Sequence, residues 1–142
     1  MPQLTYEMIK ENLEIKTYIE KGNELLGVLG YTEHSFKHAA KVAQTAADIL
    51  VSLGYSEREA ELARIAGYIH DIGNMINRVD HAQTGAVMAF NILSKMEMDP
   101  EEIALVVAAI GNHDEGTGTA VSTISAALIL ADKTDVRRTR VR

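Results

Sequence analysis

The chain has no cysteine and no tryptophan, only two prolines, and aromatic residues make up 5% of its 142 positions. Without thiols there is no disulfide framework, no thiolate nucleophile and no sulfur-ligated metal site. With so few large rings, a core must be assembled from Ala, Ile, Leu, Val and Met, which suits closely packed helices better than a sheet sandwich. Basic residues are also scarce: 14 Lys and Arg stand against 20 Asp and Glu, a formal charge of −6. That balance argues against general nucleic-acid binding, which needs an excess of cations to meet the phosphates. No run approaches the ~18 apolar residues of a membrane span, and the N-terminus lacks the basic-then-apolar pattern of a secretion signal. A cytoplasmic protein without a membrane partner is the expectation. Equally missing are a Gly-x-Ser-x-Gly elbow, a Walker-type loop and a dinucleotide fingerprint.

What is present is an ordinary globular composition, 46% hydrophobic and 24% charged, of a length suited to one domain over residues 1–142. Residues 5–29 predict two short helices, with Tyr6, Ile9, Leu13, Tyr18, Ile19, Leu25 and Leu26 as apolar positions and Gly30 as the stop. Residues 1–30 are therefore expected to cover one side of the core or to make a homodimer contact. The core itself is expected over residues 31–142. Val42, Ala46, Ile49 and Leu53 recur at the spacing of one helix face, and Gly54 ends that helix. Ser56 and Glu59 read as a capping box opening a helix that carries Leu62, Ile65 and Ile69 to the pair His70-Asp71. Asp80 is a plausible N-cap for a helix through Met96, with Ala82, Ala86, Phe90 and Leu93 as its stripe. Asp99-Pro100-Glu101-Glu102 is a helix start, with Ile103, Val106, Val107 and Ile110 inward. A last helix from about Ser122 places Ile124 and Leu128 on its core face, and Asp132 continues that face one turn on.

The histidines follow the same pattern. His38 falls one turn before Val42 on the inward face, and His34 one turn before that. His70 ends an apolar helix, His81 lies in a first turn where the helix dipole disfavours the charged imidazole, and His113 follows Ile110. A buried carboxylate such as Asp71 or Asp132 requires a cation or a full set of hydrogen bonds. Taken alone, His70-Asp71 reads equally as a metal ligand pair or as an ordinary helix C-terminus with Gly73 as its stop. Imidazole and carboxylate without sulfur suit Mn, Fe, Co, Ni or Zn in an open geometry, one ion or two, better than Mg. The loop 115–119, with two glycines, is weak evidence for phosphate binding.

The order His38, His70-Asp71-Ile72-Gly73, His81 with Gly85, Asn112-His113 and Leu130-Ala131-Asp132-Lys133 resembles the HD-domain superfamily of metal-dependent phosphohydrolases, over about residues 34 to 138. The resemblance implies an all-α fold of about five to seven helices and a metal held by His38, His70, Asp71 and Asp132. In two-metal relatives the extra histidines match His81 and His113, and the aspartate of the HD pair bridges. It further implies hydrolysis of a nucleotide or other small phosphate ester through a metal-activated water, with Asp71 and His70 at the chemistry. Asn74 stands where the cyclic-dinucleotide phosphodiesterases of the HD-GYP type have lysine, and their Gly-Tyr-Pro signature is missing. The guanosine-tetraphosphate hydrolases carry a Glu-Asp pair where this chain has Met75-Ile76-Asn77-Arg78. His34 is left open as a further ligand, a group behind the ligands or a substrate contact. Arg78, Lys133 and Arg137 are candidate phosphate partners; the alternatives are a surface position for Arg78 and an ion pair with Asp135 for Lys133. The rival to a hydrolase is a non-catalytic HD module that senses a metal or a nucleotide.

Overall fold

A computed structural model describes residues 3–114 and 119–135. Arg137 and the other C-terminal arginines, and most of the loop 115–119, lie outside these. Among the described residues there are seven α-helices: α1 Tyr6–Glu11, α2 Leu13–Leu29, α3 Phe36–Ser52, α4 Glu57–Ile69, α5 His81–Lys95, α6 Pro100–Gly111 and α7 Thr123–Thr134, with a 3-10 turn at Ile72–Met75 after α4. Among the described residues there is no strand, and the fold is all-α.

Local chemistry sets the boundaries. Asn12 ends α1 and caps α2, accepting from the Ile15 N–H at 3.0 Å. Ser56 and Glu59 form the complete capping box of α4. Asp99 accepts from the N–H groups of Glu101 and Glu102, with Pro100 behind it in the first turn of α6. Asp80 does stand at the N-cap of α5, but at φ 58° and without a side-chain capping bond. Gly30 closes α2 in the left-handed region at φ 86°.

The centre is α3, α4, α6 and α7, with α3 and α4 the most extensive pair; α5 packs on α6, and α2 lies along the 3-10 turn. Small side chains permit the close approach. A Cβ on Gly67 would stand 2.8 Å from the Ala43 Cα, so only glycine lets α4 meet α3 there. Buried Ala39, Ala43, Ala46 and Ala47 line the facing side of α3.

Three expected inward positions turn outward. Leu13 is 77% exposed and Ile15 takes its place in the core; Leu53, at the exit turn of α3, is 68% exposed. Phe90 is 52% exposed. Steps of four residues advance about 400°, so two steps from Ala82 carry position 90 about 80° off the face, and Ala89, Ile92 and Leu93 fill it instead. His34 is not on the α3 stripe, because that helix begins at Phe36 with Ser35 as its cap.

Candidate metal centre

The helices bring their ends to one place. His38 comes from the first turn of α3, His70 caps the end of α4 and Asp71 follows it. His81 opens α5, His113 follows α6 and Asp132 lies in the last turn of α7. His38, His70, His81 and His113 are all at most 4% exposed. With His34 their rings form an unbroken chain, 34 to 38, 38 to 70, 70 to 113 and 113 to 81, with centroids 5.0, 5.2, 5.0 and 5.0 Å apart.

The tautomers follow from the hydrogen bonds. A carbonyl can only accept, so Nδ1 is the protonated nitrogen where it faces one. His70 Nδ1 donates to the Gly67 carbonyl at 2.7 Å, His81 Nδ1 to that of Arg78 at 3.1 Å and His113 Nδ1 to that of Ile110 at 2.5 Å. His38 Nδ1 donates to the buried Asp135 carboxylate at 2.8 Å. Each Nε2 is then left to the centre. His38 Nε2 lies 3.2 Å from Asp71 Oδ2 and 3.1 Å from Asp132 Oδ1; for His70 Nε2 the distances are 3.1 and 3.3 Å. Neither nitrogen makes a hydrogen bond of acceptable geometry, although both are buried. His81 and His113 face each other Nε2 to Nε2 at 3.1 Å, 3.4 and 3.7 Å from Asp71 Oδ1.

Lone pairs aimed at one another and at carboxylates repel unless a cation or protons stand between them. Among the described residues two groups of donors meet that description: His38, His70, Asp71 and Asp132, and Asp71, His81 and His113, each with ligand atoms within 4.8 Å of one another. Asp71 belongs to both and turns a different oxygen to each. The nitrogen and oxygen donors, the orphaned buried Nε2 atoms and the carboxylate behind His38 fit a divalent metal ion.

Without a cation the electrostatics favour protons on His38 and His70. Burial by itself would lower His70, but Asp71 and Asp132 outweigh it and hold His70 well above its ordinary value; His38 is raised in the same way by Asp132 and Asp71 against its own burial. Burial would raise both carboxyls, and the neighbouring histidines, His70 foremost, hold Asp71 and Asp132 well below the ordinary range.

The remaining expected residues spread around this centre. His34 stands beside it, with Nδ1 on Asp71 Oδ2 at 2.7 Å. Arg78, 30% exposed in its side chain, reaches within 3.8 Å of Asp71 Oδ1 and donates to Asn74 Oδ1 at 3.3 Å. Lys133 is exposed on the last turn of α7, and Asp135 turns to His38 rather than to it. Arg137 lies outside the described residues. Sequence reasoning missed Asp135 as the partner of His38; its signal was the three-residue step from Asp132, which puts both on one side of a helix end. It also missed Asn23 on α2, whose Oδ1 accepts from the His34 N–H at 3.0 Å.

An all-α bundle whose helix ends converge on paired imidazole and carboxylate clusters defines a class of metal-binding helical proteins. Within it, the chain belongs to the HD-domain family, whose model matches residues 35–137. An uncharacterized protein of Methanocaldococcus jannaschii is 30% identical across the whole chain, and ribonuclease Y of Desulforamulus reducens is 32% identical over 81% of it. The chain spans 63% and 23% of the lengths of these two relatives. A crystal structure of a predicted HD superfamily hydrolase from an uncultured Thermotogales bacterium matches with a TM-score of 0.65 and 26% identity, over 89% of this chain and 71% of that one.

Proposed function

We propose that the protein is a metal-dependent phosphohydrolase acting on a nucleotide or another small phosphate ester. The observation that carries the reading is the convergence of four buried Nε2 atoms on the Asp71 and Asp132 carboxylates. His38, His70, Asp71 and Asp132 would hold one ion, and Asp71, His81 and His113 a second, with Asp71 common to both. Imidazole-rich donors favour Mn, Fe, Co, Ni or Zn over Mg, which prefers oxygen and water. When bound, such an ion supplies Lewis acidity and brings the pKa of a water toward neutrality.

The chain's own residues supply the rest. The Nδ1–H bonds of the histidines fix their rings before any ligand arrives, so little reorganisation is needed. Arg78, 3.8 Å from Asp71 Oδ1, meets the charge of the phosphate, with Lys133 and Arg137 as further candidates. Asp132, 29% exposed in its side chain, marks the more open side of the His38 and His70 cluster. The name of ribonuclease Y favours a second substrate class, an RNA phosphodiester.

The test is a panel of nucleoside phosphates, small phosphate esters and a single-stranded RNA oligonucleotide, offered to Mn-loaded protein. His70→Ala and Asp71→Ala are expected to lose bound metal and at least ~10²-fold in turnover. Full metal content and full activity in both variants would overturn the site. Metal and nucleotide binding without turnover of any phosphate ester would favour the sensor reading instead.

A further inference from the structure

The HD match begins at residue 35, so α2 and His34 lie before it. Yet both reach the centre. His34 Nδ1 bonds Asp71 Oδ2, the same oxygen that faces His38 and His70. The imidazole is only 9% exposed and packs edge-on against the His38 ring. Its main-chain N–H is held by Asn23 Oδ1 at 3.0 Å. The adjacent Gly22 lets α2 sit against the 3-10 turn, where a Cβ would stand 3.2 Å from the Met75 nitrogen and 3.3 Å from the Asn74 Cβ.

From this geometry we infer that Asn23 and His34 form a brace from α2 to Asp71, making the N-terminal segment a working part of the metal centre. The inference rests on the metal reading of the site. Asp71 has to give one oxygen to each cluster, which requires its carboxylate plane to be fixed. His38 and His70 cannot fix it, because their Nε2 atoms are the donors that would hold the ion, their Nδ1 atoms being bonded to Asp135 and Gly67. The His34 N–H, donated from outside the ligand set, holds Oδ2 and thereby aims Oδ1 at His81 and His113. Asn23 in turn holds the backbone of a residue that belongs to no helix. His34 is on this account a positioning residue rather than a ligand.

The experiment is a titration of metal-stripped full-length protein with Mn²⁺ alone, read by calorimetry and by the spin-resonance signal of free Mn²⁺. A loss of about 10- to 100-fold in affinity is expected for His34→Ala, the range for partners behind a ligand. His34→Asn, which keeps an N–H near the Nδ1 position, should recover most of it. Asn23→Ala should weaken binding in the same direction and Asn23→Asp, which keeps the acceptor, should not. Wild-type affinity in both alanine variants overturns the brace while leaving the metal centre standing. Loss in His34→Ala without recovery in His34→Asn also overturns it, since the imidazole would then be a ligand itself. Wild-type protein that takes up no Mn²⁺ overturns the centre and the brace together. Unfolding curves of the metal-free variants identify any that fail to fold, and the Asn23 pair then decides.

Discussion

At the scale of single residues, the centre is a competition between metal and protons for the same nitrogens. In the metal-free protein His70 and His38 are raised by Asp71 and Asp132. A raised histidine stabilises the fold fully below its unfolded value near 6.5, and that contribution fades as pH climbs through the raised folded value. The depressed carboxyls of Asp71 and Asp132 act oppositely, stabilising above their ordinary value of 3.8 and losing effect as pH falls toward the depressed values. A metal needs the neutral imidazole, so its binding releases protons and strengthens with pH. The expected result is a difference in melting temperature between Mn-loaded and stripped protein that widens from about pH 5.5 to about pH 8. Where free metal reaches 100 times its dissociation constant, the gain is about 2.7 kcal/mol. A difference that stays flat or shrinks over this range would mean that His38 and His70 are not deprotonated on binding.

At the scale of elements, the site depends on how closely helix ends can meet. The Gly73 Cα lies against the start of α5, where a Cβ would fall 2.0 Å from the His81 carbonyl oxygen and 2.7 Å from the Gly85 nitrogen. Both obstacles are backbone and cannot rotate away. Gly73→Ala must therefore push α5 from the 3-10 turn and carry His81 away from Asp71. A destabilisation of about 3 kcal/mol or more is expected, with weaker binding of the second metal equivalent. Gly111→Ala is the control: its Cβ meets only the Ala86 side chain at 3.4 Å. Denaturant unfolding of the two variants checks the point; equal stabilities would show that the α5 contact gives way easily.

At the scale of the whole molecule, net charge weighs against binding of nucleic-acid duplexes. The formal charge of −6 repels a polyanion, while under the proposed function Arg78, 3.8 Å from Asp71 Oδ1, would meet a small phosphate. Duplex DNA at about 0.15 M salt is therefore expected to bind no more tightly than ~10⁻⁴ M, the weak end of non-specific association. A micromolar mobility shift would refute this. Among the described residues no helix is long and apolar enough to cross a membrane.

Most of the helices, and the histidines that matter, were legible in the chain because periodicity and capping are local. Ser56 with Glu59, Asp99 with Pro100 and the run to His70-Asp71 needed nothing beyond their neighbours. The errors came where a neighbour decides. Phe90 and Leu53 have inward spacing but end 52% and 68% exposed, and His34 lies ahead of its helix although the four-residue step to His38 suggests one face. Sequence alone thus determined an all-α chain carrying the donor types of an HD-type centre. Only the tertiary structure decided that Asp71 turns one oxygen to each cluster, that Asp135 sits behind His38, and that α2 reaches Asp71 through Asn23 and His34. Those contacts join residues 37 to 97 positions apart or run through a side chain on another helix, and helix periodicity carries no information at that range.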